Sequence, residues 1–74
     1  MDATIAGPAI KVYLTEIRSR LDGGARIAKA ADVFAQVASL DEAVRVALEI
    51  KQLCYEATRL LDVANLINRL AKEE

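Results

Sequence analysis

Residues 40–74 read LDEAVRVALEIKQLCYEATRLLDVANLINRLAKEE, a run with neither glycine nor proline. Within it Val46, Ile50, Leu53, Ala57, Leu60, Ala64, Ile67 and Ala71 follow one another at alternating steps of four and three. Such stepping keeps successive side chains on one stripe of a helix, so it marks a helix lying against one long neighbour. Val46, Leu53, Leu60 and Ile67 hold one heptad position, and Ile50, Ala57, Ala64 and Ala71 hold the other. The alanines let the neighbour come toward the small end of the usual ~8–10 Å interaxial range. Ala43, Ala47, Cys54 and Leu61 widen the stripe on one side. A helix over 40–72 follows, with Ser39-Leu40-Asp41-Glu42 matching the S-x-x-E spacing of a capping box at its start.

Upstream, Gly7-Pro8 and Gly23-Gly24 are the punctuation. Proline suits the first helical position, where its missing N–H is no loss, and glycine commonly ends a helix. The expectation is therefore helices at 8–22 and 25–38, with residues 1–7 a flexible tail and 8–74 a single helical domain. Register argues the other way at the glycine pair. Ile10, Leu14, Ile17 and Leu21 step by four and three, and the same steps run on through Gly24, Ala28, Ala31, Ala35 and Ala38. Two interior glycines cost roughly 2 kcal/mol relative to alanine, which favours a break or a sharp kink. The arm over 8–38 and the helix over 40–72 would measure about 46 and 50 Å, so the two should lie antiparallel. Residues 27–38 are apolar around most of the circumference, and that segment is expected to be the most buried. The fold class is all-α: three helices in a hairpin with a long third helix.

Composition sets the outer limits. The chain has 74 residues, 54% of them hydrophobic, with a net charge of −1, one cysteine and no histidine. That apolar content argues against intrinsic disorder, and the size allows one domain. A lone cysteine forms no internal disulfide and, without histidine, no Cys/His zinc site. Asp2, Pro8 and Lys11 interrupt the N-terminal apolar residues, so no secretory leader is expected, and no apolar stretch approaches the ~20 residues of a membrane span. A cytoplasmic protein without a membrane role or cofactor is the expectation.

A second apolar set lies away from the stripe on the third helix: Val44, Leu48, Tyr55, Val63, Leu66 and Leu70. A helix apolar on two faces calls for two partners, and the hairpin supplies one. Fully burying each Val or Leu contributes ~1.5–3 kcal/mol, so leaving the set in water forfeits about as much as a small domain's net stability. These residues are the expected interface of a homodimer, two hairpins making a four-helix-type bundle.

Chemistry-bearing residues are sparse. Cys54 at the stripe's edge reads as a small buried hydrophobe, because no histidine is present to act as its base. Glu42, Glu49 and Glu56 recur every seven residues and read as a charge-compensated stripe with Arg45 and Arg59. Asn68 lies close to the stripe, where a polar side chain can fix register. Arg18, Arg20, Arg26 and Lys29 surround the glycine pair, where a fresh helix start with free amides would suit an anion. Two such patches in a dimer would give nucleic acid a foothold despite the net charge, although the acidic start of the third helix fits no groove-reading helix. The leading expectation is a non-enzymatic adaptor, regulator or assembly factor that pairs with itself and another protein. An anion- or nucleic-acid-binding module at residues 18–29 is the alternative.

Overall fold

The structure, a computed structural model, describes residues 2–73. Helix α1 spans Ala3–Gln36, α2 spans Leu40–Ala47 and α3 spans Glu49–Lys72, and no strand occurs among the described residues. α1 packs against both α2 and α3, giving an antiparallel two-arm hairpin 56 × 14 × 10 Å across. Its radius of gyration is 16.9 Å, against about 11 Å for a globular chain of this length. The molecule is a single layer.

The all-helical hairpin agrees with the sequence reading, but its first arm is built differently. α1 begins at Ala3, so residues 3–7 of the expected tail are helical. Asp2 adopts extended backbone ahead of the first turn, and its Oδ1 accepts the Thr4 amide at 3.0 Å. That hydrogen bond holds the Asp2 carboxyl below its ordinary value. Pro8 consequently sits inside the helix, in its second turn, instead of opening it. Buried Ala6 anchors this first stretch in the packed seam.

Gly23-Gly24 neither ends nor divides the helix. Both glycines face the other arm: a Cβ built on Gly23 would meet Leu53 Cδ1 at 3.4 Å, and one on Gly24 would meet Ile50 Cγ2 at 3.9 Å. A break would throw Ile27 and Ala31 out of line with Ile10 and Ile17. Apolar contact on both sides of the pair outweighs the roughly 2 kcal/mol of unfavourable glycine propensity. The segment after the glycines is not the most buried one. Ala31 is buried, but Val33, Phe34 and Val37 are exposed, because a two-arm hairpin covers only one side of each helix.

α1 closes with a Schellman arrangement. The Ser39 amide donates to the Phe34 carbonyl at 2.9 Å, the Ala38 amide to the Ala35 carbonyl at 3.0 Å, and Ala38 takes φ 63°. The expected capping box is not formed: the Ser39 side chain makes no cap hydrogen bond, and Glu42 pairs with Arg45. The turn places Ser39 at the second residue past the α1 cap, and its backbone is committed there. Downstream, α2 and α3 cover the expected 40–72 helix with one slip at Leu48. That residue remains α-helical in φ and ψ while its carbonyl accepts the Lys51 amide at 3.2 Å. The seam foreseen on this arm is the one that faces α1: Ala43, Ala57 and Ala64 are buried, and Val46, Ile50, Leu53, Leu60, Ile67 and Ala71 are half-buried.

Two substitutions follow from this backbone. Ala38→Gly relieves a left-handed alanine and should stabilise the hairpin by about 1 kcal/mol. Gly24→Ala has room for its methyl and should add up to about 1 kcal/mol through helix propensity. Thermal melts followed by circular dichroism report both; a lowered midpoint for Gly24→Ala would contradict a helix continuous through the pair.

Candidate interaction surface

Every buried residue described is an alanine: Ala6, Ala31, Ala43, Ala57 and Ala64. On α1 the seam runs through Ala6, Ile10, Tyr13, Ile17, Arg20, Gly24, Ile27 and Ala31, each buried or half-buried. This differs from the expected stripe, since Leu14 and Leu21 lie outside it and Arg20 lies within it.

Arg20 shows which edges of the two arms adjoin. Its Nε donates to Glu56 Oε1 at 3.4 Å across the seam, and its Nη1 donates to the Glu16 carboxylate on its own helix. Gln52 Nε2 donates to the other Glu56 oxygen at 3.2 Å. Glu56, expected beside Arg59, thus turns inward to Arg20. The hydrogen bond to Glu16, with the charges of Glu16 and Glu56, holds the Arg20 guanidinium above its ordinary value against partial desolvation. The arginine stem fills the seam while its head reaches the rim. Its side chain remains 30% exposed, so the pairs act in a largely aqueous setting.

Glu16 and Glu56 therefore share one edge of the hairpin. Their heptad columns carry Glu16 and Gly23 along α1, and Glu42, Glu49, Glu56, Val63 and Leu70 along the second arm. The opposite edge takes the columns of Leu14, Leu21, Ala28 and Ala35 from α1, and of Leu40, Ala47, Cys54 and Leu61 from the other arm. None of these is charged. The level at which Gly23 meets Leu53 and Gly24 meets Ile50 fixes the register. Leu14 then lies level with Leu61, Leu21 with Cys54, Ala28 with Ala47, and Ala35 with Leu40. Leu14, Leu21, Leu40 and Leu61 are 50%, 53%, 63% and 53% exposed, respectively. The result is an uncharged strip running along both arms.

The other sequence-derived candidates fall elsewhere. Val44, Leu48, Tyr55, Val63, Leu66 and Leu70 are all exposed, in a band across the outer side of α2–α3 and its acidic edge. Cys54, expected to be buried, is exposed, because the apolar strip at whose middle it stands is uncovered in one chain. Asn68 is exposed and stands one heptad past Leu61, in the column of the strip itself. The four cations do not gather. Arg18 pairs with Asp22 at 3.8 Å and lines a shallow outer hollow with Thr15, Ser19 and Arg26, Lys29 is exposed, and Arg20 points inward. Residues 18–29 are mid-helix, not a loop, so the free amides expected of a new helix start do not arise there. Among the described residues no group of three or more His, Cys, Asp or Glu assembles as metal ligands would. Among the described residues no helix is long and apolar enough to cross a membrane. The place of Arg20 in the seam had a signal in the sequence: it stands seven residues from both Tyr13 and Ile27.

Compared with models of known families, with curated proteins and with solved structures, the chain matches none.

Arg20→Glu puts a third carboxylate between Glu16 and Glu56 and should lower the thermal midpoint, with Glu56→Arg in the same chain restoring part of the loss. The difference should shrink in 1 M salt, where the Debye length falls to ~3 Å. An unchanged midpoint at low salt would show that the cluster does not hold the edge.

Proposed function

We propose that this chain is a non-enzymatic helical protein that acts through protein–protein contact, and that its first partner is a second copy of itself. The supporting observation is surface. A folded monomer of 8.0 kDa exposes about 4,450 Å². This hairpin exposes 5520 Å², an excess of roughly 1,100 Å². Each partner in a standard specific interface hides about 800 Å². With alanine alone buried among the described residues, a lone hairpin recovers little of the ~1.5–3 kcal/mol that burying each Leu, Val or Ile offers. A second hairpin supplies what the first lacks, and the pair makes a four-helix bundle.

An adaptor, regulator or assembly factor in the cytoplasm fits this reading, where a single thiol stays reduced and a paired hairpin offers its outer faces to another protein. The anion-binding alternative loses support from the separation of Arg20 from Arg18, Arg26 and Lys29. Nothing in the site's geometry sets a nucleophile beside a base, which disfavours catalysis.

Sedimentation equilibrium at low micromolar concentration should return twice the 8.0 kDa chain mass, with helicity falling on dilution as the pair separates. An 8.0 kDa species that stays helical at every concentration overturns the reading.

A further inference from the structure

Resting on that self-association, we propose that the second copy docks on the uncharged strip of Leu14, Leu21, Cys54 and Leu61, not on the outer band of α2–α3, and lies alongside the first in the reversed direction. The two copies are related by a two-fold axis that crosses the hairpin at the level of Leu21 and Cys54.

Three observations carry this. The strip is built from both arms, so a partner seated on it covers all four helical flanks at once, as a bundle requires. The outer band belongs to one arm and is interleaved with Lys51, Gln52, Arg59 and Asp62. Secondly, the strip is self-complementary in size. Levels along a helix seven residues apart are about 10.5 Å apart. Reversing the second copy about the Leu21/Cys54 level sets Leu14 over Ala28 of the second copy and Leu61 over its Ala47. Large side chains thereby meet small ones, and the relation is reciprocal, as a two-fold interface demands. A parallel arrangement instead stacks Leu14 on Leu61 and Ala28 on Ala47, leaving one level crowded and the next empty. Thirdly, the rim agrees in charge. The reversed copy brings Asp32 opposite Lys11, and sets Arg18 opposite Ala25 and Lys51 opposite Thr58, so no like charges face each other. The excess surface of roughly 1,100 Å² is of the size such a face hides.

Cys54, exposed in one chain, becomes the reporter because it lies next to the axis. Maleimide labelling of the unmodified chain is followed across the concentration range in which sedimentation shows the pair forming. The rate should fall by at least about tenfold in the paired state relative to the dilute or urea-unfolded chain. Leu61→Lys should raise the dissociation constant about a hundredfold, while Leu66→Lys on the outer band leaves it within about threefold. A dimer whose Cys54 reacts at the unfolded rate, or which is lost with Leu66→Lys and kept with Leu61→Lys, overturns this face and leaves self-association standing. A monomer at every concentration overturns both.

Discussion

The seam between the two arms constrains everything else in this molecule. Alanine at Ala43, Ala57, Ala64 and Ala71, one heptad column broken only by Ile50, lets α1 lie close to α2 and α3, and closeness is what a seam of small side chains has to offer. The same choice displaces the larger apolar residues to the flanks. Leu14, Leu21, Leu40 and Leu61 flank the contact instead of filling it, and each remains at least half exposed. A hairpin so built leaves one side of each helix uncovered.

Arg20 shows the hairpin's sense of side. Heptad position alone sets Glu16, Glu42, Glu49 and Glu56 on one edge of the seam and Leu14, Leu21, Leu40 and Leu61 on the other. The guanidinium ties Glu16 and Glu56 together on the first edge, with Gln52 behind, and the acidic column of Glu42 and Glu49 runs on along the same side. Charge is collected at that edge, and the columns of the other carry none. The electrostatic worth of each exposed pair is small. Its value is as a marker, since the pair shows which columns of the two arms adjoin.

Much of this was legible beforehand. The second arm and its seam follow from residue spacing, because a four-three pattern from Val46 to Ala71 admits one helical face and one long neighbour. The first arm was read in the wrong register for a definable reason. Hydrophobicity alone prefers Leu14 and Leu21 to Arg20, and the arginine is accommodated at the seam by Glu16 on its own helix together with Glu56 from the distant arm. Gly23-Gly24 misled similarly: local propensity says stop, whereas continued packing of Ile27 and Ala31 says go on, and packing is decided by tertiary contact. The uncovered strip was visible in the spacing of Leu14, Leu21, Ala28 and Ala35, but as core. The side on which such a column lies depends on which face of α1 the seam of Ala6, Ile10, Tyr13, Ile17, Ile27 and Ala31 turns toward the other arm.

The turn at Ala38 also governs the order in which the arms come together. Near the turn, Ala35 and Leu40 are separated by a few residues and cost little loop entropy to join, while Ala6 meets the far end of α3 only by closing almost the whole chain. Closure should therefore run like a zipper from the turn to the termini, and opening should run in reverse. The step that starts it contains an alanine held at φ 63°. The most strained backbone of the hairpin is thus formed earliest, so easing that residue should speed the closing of the arms more than it slows their parting.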